Sequence, residues 1–198
     1  MIEFKNLHFE EPYIKFHNFY KAALQNNQNF IEAMSISSYS ILKNEVDSRF
    51  VNLKLVDGDK FIFFTNYLSS KAKQFETHNQ VSVLFFWDSI YCQIRMKGYI
   101  KKLPIIENKI YFQKRSRRKN ALAISSNQSR VINSYDEIIK KYNDTLKNAN
   151  LLECPDYWGG YSFVPYKIEF WEGKEYRLNK RNQYVSEANG WKHLILEP

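Results

Sequence analysis

Cysteine is scarce: Cys92 and Cys154 are the only two in 198 residues, too few and too far apart for a zinc site. One disulfide is the most they allow, and nothing else argues for secretion. The first eleven residues mix charged and apolar side chains, with no apolar signal core and no small-residue cleavage site. No run approaches the ~20 apolar residues that span a bilayer. Also missing are G-x-G-x-x-G, a Walker loop, H-E-x-x-H and G-x-S-x-G. The four histidines, His8, His17, His78 and His193, are scattered and suggest no metal site. These absences set aside a disulfide scaffold, a membrane span and the common nucleotide and hydrolase motifs. The expectation is a soluble, reduced, cytoplasmic protein without a metal.

What is present is aromatic and basic. Aromatics make up 17%, with fourteen Tyr and fifteen Phe, which tilts the expectation towards strands. Apolar residues at 44% give a chain of this length a core that needs no disulfide or metal. The formal net charge of +8 favours polyanions or phosphorylated small molecules as partners. The plain alternative is a solvated basic surface.

Spacing gives the elements. No repeat, low-complexity tract or linker divides the chain, so 1–198 is read as one domain, with 1–11 a loose leading segment. Tyr13, Phe16, Phe19, Tyr20, Ala23 and Leu24 recur at helical spacing after Pro12, predicting a first helix over 12–28. Ala33–Ser40 is a weak strand candidate. Phe50–Val56 and Phe61–Thr65 flank the turn residues Asp57-Gly58-Asp59-Lys60 and predict a hairpin. Ser69–His78 reads as a short helix capped by Ser69 or Ser70. Val81–Trp87 is a continuous apolar run, as in a buried strand. Ile90–Leu103 is a long strand in which Gly98 marks a bulge or bend. Pro104 opens a helix to about Gln113, and Ser134-Tyr135-Asp136-Glu137 is a capping box. Tyr161–Trp171 and Tyr176–Leu178 read as strands. Gln183–Glu187 and Trp191–Leu196 flank Asn189-Gly190, a hairpin turn. Strands that arrive as hairpins favour an antiparallel barrel with peripheral helices, a mainly β (α+β) fold.

Several basic positions invite chemistry. Arg49 and Lys54 are five residues apart, so a regular strand points them to opposite faces. They serve one site only if a ligand sits at an edge or the strand twists. Lys71 and Lys73 fall in the first turn of the short helix, where free amides with Ser69 and Ser70 suit a phosphate; exposed lysines on a surface helix are the alternative, and pattern alone favours it. Lys114-Arg115-Ser116-Arg117-Arg118-Lys119 is a bare charge run, and no nucleic-acid-binding pattern accompanies it. Trp158-Gly159-Gly160-Tyr161 and Ile168–Gly173 interleave aromatics and glycines. They suit either a barrel core with tight turns or a planar ligand near an indole.

Read in order, four blocks resemble the pyridoxamine 5′-phosphate oxidase family over about Pro12–Pro198. Arg49-Phe50-Val51-Asn52-Leu53-Lys54 is similar to the family's R-x-V-L-L-K. Phe64-Thr65-Asn66 with Ser69-Ser70-Lys71-Ala72 is similar to Y-T-N and S-R-K-A. Ser125-Ser126-Asn127-Gln128-Ser129 is similar to S-x-Q-S. The fourth block runs from Tyr157-Trp158-Gly159-Gly160 through Ile168-Glu169-Phe170-Trp171 to Arg177-Leu178.

The resemblance implies an antiparallel split β-barrel that dimerises and holds flavin mononucleotide (FMN) at the subunit interface. It implies FMN contacts from Arg49, Phe64, Thr65, Ser70, Lys71, Gln93, Gln128, Ser129, Trp171 and Arg181. It implies substrate-phosphate contacts from Lys54, Tyr111, Arg115 and Lys119, with Arg177 over the substrate ring and Asn179 beside it as the catalytic pair. The implied reaction oxidises a phosphorylated B6 vitamer to pyridoxal 5′-phosphate, with O2 as acceptor and hydrogen peroxide released. No nucleic-acid or membrane partner is implied.

The chain departs from the family pattern at Ser70, where the family has Arg, and at Phe64, where it has Tyr. On the substrate side it has Lys119 for Ser and Asn179 for His, and no arginine-rich arm precedes the first helix. Asn does not titrate near neutral pH. Two alternatives stay open: an oxidase of the same fold acting on another anionic substrate, as in phenazine biosynthesis, and a non-catalytic flavin-binding protein.

Overall fold

A computed structural model describes residues 1–198. In chain order the elements are β1 (Glu3–Lys5), α1 (Glu11–Gln25), β2 (Ala33–Ser40), β3 (Glu45–Asp57), β4 (Lys60–Asn66), α2 (Ser70–Thr77), β5 (Gln80–Trp87), β6 (Cys92–Lys102), α3 (Ile105–Lys114), α4 (Arg117–Ser125), α5 (Tyr135–Asn148), β7 (Trp158–Glu172), β8 (Lys180–Glu187) and β9 (Gly190–Leu196).

Six strands close on themselves. β2 pairs β3, β3 pairs β4, β4 pairs β7, β7 pairs β6, β6 pairs β5, and β5 returns to β2, every step antiparallel. This ring is the split β-barrel expected from the sequence, with helices at its periphery. Alternation drives it: Val81, Val83, Phe85 and Trp87 of β5 point inward and are buried. Helix α1 lays Phe16 into the same core, with its ring 5.0 Å from Phe61 and 5.6 Å from Phe85. Truncating so buried an aromatic typically costs about 3–5 kcal/mol.

Two irregularities bend long strands. Gly98 sits at a register shift of β6 against β7, where a Cβ would lie 2.2 Å from the Val164 carbonyl oxygen. The second shift falls in β3 between Leu53 and Leu55, at Lys54.

Several expectations need correcting. Residues 1–11 do not all hang loose: Ile2 is buried, β1 adds to β3 as a parallel strand, and Phe4 packs on His17 and Tyr20 of α1. Helix α1 ends at Gln25, short of residue 28. β5 is not buried on both faces, because Leu84 and Phe86 point outward and are exposed. Residues 176–178 are not a strand: Glu175–Arg177 form a 3₁₀ turn with Tyr176 and Arg177 at φ 53° and 62°. The charge run 114–119 is not bare either, since Ser116 caps α4 by accepting from the Lys119 amide.

Candidate functional site

Most of the candidate residues converge on one cavity of about 1130 Å³. Strands β3 and β4 form one wall, α2 supplies a corner, and the α3–α4 junction and the loop after α4 close the far side. Arg49, Lys54, Phe64, Thr65, Ser70, Lys71, Tyr111, Arg115, Lys119, Gln128 and Ser129 all line it. Arg49 and Lys54 share the cavity because it reaches both faces of β3: Phe50, Val51 and Asn52 line it as well.

Each cation is held differently. The Arg49 guanidinium donates to Ser38 Oγ at 2.6 Å and to Gln74 Oε1 at 3.1 Å, with Asp47 at 3.5 Å. Lys71, only 7% exposed, meets a hydroxyl and no carboxylate, donating to Ser69 Oγ at 3.2 Å. The surface-helix reading therefore fails for Lys71, though Lys73 is exposed. Burial, with the nearby Arg49 charge adding to it, pulls the Lys71 ammonium down to about 8. At neutral pH it still carries its proton, and an anion would relieve the penalty.

The opposite side is aromatic. Phe64 stacks on Tyr111 with ring centroids 3.7 Å apart and on Trp158 at 5.3 Å. The Arg115 guanidinium lies 4.3 Å over the Trp158 ring. Its Nη2 donates to the Lys119 carbonyl at 3.2 Å, while its buried Nη1 has no hydrogen-bond partner. Burial lowers the Arg115 pKa, partly offset by Tyr111 and Cys154. Trp158 is buried, yet it lines the cavity and is not part of the barrel core. The adjoining glycine is required by close approach: a Cβ on Gly159 would lie 2.2 Å from Tyr67 Oη and 2.4 Å from Asn108 Nδ2. The loop after α4 docks through Thr65 Oγ1 to Gln128 Oε1 at 3.3 Å, and Ser129 turns at φ 70°.

Five candidates are elsewhere. Gln93, Trp171 and Arg181 form a row across three adjacent strands, since Gln93 pairs with Trp171 and Trp171 with Arg181. Arg181 is bound on both sides: Glu169 takes Nε and Nη2 at 2.9 Å each, and the Glu197 carbonyl takes Nη1. Arg177 is exposed in the adjoining turn. Asn179 Oδ1 accepts from the Lys174 amide at 3.1 Å, so it braces that turn. Trp158 and Trp171 both belong to β7, thirteen residues apart, which is roughly 40 Å of strand at ~3.3 Å per residue.

Residues 23–145 match the model of the pyridoxamine 5′-phosphate oxidase family, and residues 158–198 match the pyridoxine 5′-phosphate oxidase C-terminal dimerisation region. The chain belongs to the pyridoxamine 5′-phosphate oxidase family. A pyridoxine/pyridoxamine 5′-phosphate oxidase of Haemophilus influenzae is 35% identical over 190 residues, covering 96% of this chain and 90% of its own. Another, from Hydrogenovibrio crunogenus, is 36% identical over 176 residues, covering 88% and 81%. In fold, the chain is similar to PhzG from Burkholderia lata 383, solved in complex with tetrahydrophenazine-1-carboxylic acid. That likeness has a TM-score of 0.90 at 24% identity, over 95% of this chain and 93% of the other. An FMN-binding protein of Nostoc punctiforme related to pyridoxamine 5′-phosphate oxidase follows at TM-score 0.77 and 13% identity, over 92% and 97%.

The cavity also holds a residue that the family pattern did not flag. Glu32, at the entry to β2, pairs with Lys54 and with the chain's amino terminus. A single Glu before a strand gives no sequence signal. Ser38 and Gln74, which seat Arg49, were equally invisible.

Proposed function

We propose that this chain is an FMN-dependent oxidase that converts pyridoxamine or pyridoxine 5′-phosphate to pyridoxal 5′-phosphate, acting as a homodimer. The observation that carries the reading is the unbalanced charge of the cavity. Lys71 is buried against a hydroxyl alone, and Arg115 leaves a buried N–H without a partner. Such groups are stable beside an anion and costly without one.

Two phosphates account for the two cationic groups. Arg49, Ser70 and Lys71, with the first amides of α2, would hold the FMN phosphate. Phe64, Thr65, Gln128 and Ser129 would line the rest of its berth. Lys54, Tyr111, Arg115 and Lys119 would hold the substrate phosphate. Net charge-assisted contacts of about 1.5–3 kcal/mol each, three or four per ligand, reach micromolar binding after association costs. When bound, FMN supplies the redox chemistry, accepting a hydride from the substrate and passing electrons to O2.

The residues of this chain bind and orient. The stack of Tyr111, Phe64 and Trp158 gives Arg115 a flat, water-excluding seat at the cavity wall. Gln93, Trp171 and Arg181 would reach the flavin from a second copy, with that copy's Arg177 over the substrate ring. Outward Leu84 and Phe86, apolar and exposed in one chain, suit burial against such a copy.

The test is direct. Load the purified protein with FMN, offer pyridoxamine and pyridoxine 5′-phosphates, and follow peroxide and pyridoxal phosphate. No FMN uptake at micromolar concentration removes the cofactor assignment. Uptake without turnover removes the substrate assignment and favours a second reading, an oxidase of another anionic substrate. The engagement of Asn179 Oδ1 by the Lys174 amide is the observation behind that reading, because it leaves this side chain little freedom to act on substrate.

A further inference from the structure

The phosphate set contains its own competitor. Glu32 lies immediately before β2, whose first residue Ala33 pairs with Asn52, and its carbonyl accepts the Leu53 amide at 2.8 Å. That bond fixes the Glu32 backbone beside Lys54, at the register shift of β3. The Glu32 carboxylate takes the Lys54 ammonium directly, and both side chains are about three-quarters buried, with 24% and 25% exposure. Three other acids line the cavity. Glu3 faces Lys5 at 3.4 Å, Asp57 accepts from Asn6 Nδ2 at 2.8 Å, and Glu107 enters no ion pair. Glu32 alone neutralises a member of the Lys54, Tyr111, Arg115 and Lys119 set.

The carboxylate is ionised at neutral pH. Burial pushes it up, but hydrogen bonds from Lys54 and the amino terminus outweigh burial and hold it below the usual range. Glu32 and Glu3 also raise the Tyr111 hydroxyl, after burial and against Arg115, so the Glu32 charge is felt across the subsite.

We propose that Glu32 is a specificity-determining residue of this cavity: an internal anion that holds Lys54 and must yield it to the phosphate of any phosphorylated ligand. The inference rests on the substrate assignment made above. Substrate and product carry the same phosphate, so Glu32 weakens both alike. It thereby trades ground-state affinity for product release, a change in uniform binding and not in the chemical step.

The test uses FMN-loaded protein, so that the flavin's own phosphate site is filled. The probe is 4-deoxypyridoxine 5′-phosphate, which has no oxidisable group at its 4′ carbon, with unphosphorylated 4-deoxypyridoxine beside it. Affinities are read by calorimetry for the native chain, Glu32→Gln, Lys54→Met and the double variant. FMN content reports that each is folded. The expected result is about tenfold tighter binding of the phosphorylated probe by Glu32→Gln, no change for the unphosphorylated one, and loss of the gain in the Lys54→Met background. With substrate, KM falls in Glu32→Gln and kcat does not rise. Unchanged or weaker binding by Glu32→Gln, or an equal gain without Lys54, overturns the proposal and leaves the substrate assignment standing. If no variant binds the phosphorylated probe while FMN is retained, the substrate assignment itself falls and this inference with it.

Discussion

The cavity beside β3 and the row across β6, β7 and β8 are built on opposite principles. In the cavity, two cations are buried without counter-ions, Lys71 against a hydroxyl and Arg115 with an unpartnered N–H, while Lys54 and Arg49 have Glu32 and Asp47. In the row, charge is already settled, with Arg181 clamped by Glu169 and the Glu197 carbonyl. Trp171 and Arg181 of the row fall within the C-terminal match to a dimerisation region, which fits the proposal that the two regions cooperate between two copies.

The sharpest way to break this comparison is to damage the two regions in different chains. Arg177→Ala is expected to lower turnover about a hundredfold while FMN content stays near native, because the exposed turn carries no part of the flavin phosphate site. Lys71→Met is expected to lose most bound flavin and hence activity. In a one-to-one mixture of the two variants, half the dimers are hybrids, and each hybrid has one site with both regions intact. Activity should therefore recover to about a quarter of native. Hybrids that stay inactive, with subunit exchange verified, would place both regions in one chain's site.

The cavity's missing counter-ion makes a second prediction with a definite sign. Lys71 titrates at about 8 without ligand, below the usual lysine value, and a bound phosphate raises it. The ligated state thus holds more proton above pH 8, so FMN affinity should fall as pH rises past that point, by up to tenfold per unit. Lys71→Met should bind FMN about 10–100-fold more weakly at neutral pH and lose that alkaline slope. A slope that persists in the variant assigns it to another group.

These regions also differ in how far the sequence disclosed them. The barrel was legible because hairpin turns such as Asp57–Lys60 and Asn189-Gly190 fix antiparallel neighbours, and β5 carries a plain inward alternation. Thr65, Ser70 and Lys71 were found through the resemblance, whose motifs are contiguous blocks. What escaped was anything decided by one residue's departure from regularity. The positive φ of Tyr176 and Arg177 turns a supposed strand into a bend. Side-chain partners remote along the chain, Ser38 and Gln74 on Arg49 or Glu32 on Lys54, have no local signature. The expectation of a loose start also failed, because a three-residue strand is too short for periodicity to reveal.

Within the cavity, Arg115 tests whether shape or charge alone holds the substrate phosphate. Its planar guanidinium lies on Trp158 with Nη2 on the Lys119 carbonyl, while Nη1 is buried without a partner. Arg115→Lys keeps the charge but loses the flat stack and the fork. KM for the phosphorylated substrate should rise about tenfold, with FMN content unchanged, as steady-state kinetics would report. A KM that does not move would remove Arg115 from the substrate set.

The smallest expected effect falls on the row's turn. Asn179 stands where the family has a titratable His, yet its Oδ1 accepts the Lys174 amide at 3.1 Å. A side chain fixed in that way shapes the loop that carries Arg177 and does not move protons. Asn179→Ala should therefore lower thermal stability by about 1 kcal/mol, the worth of one such hydrogen bond. Turnover should fall only a few-fold, with its pH profile unchanged. Asn179→Asp keeps the acceptor and should restore both. A large loss of turnover in Asn179→Ala that Asn179→Asp fails to rescue would move Asn179 from positioning the turn to contacting the substrate.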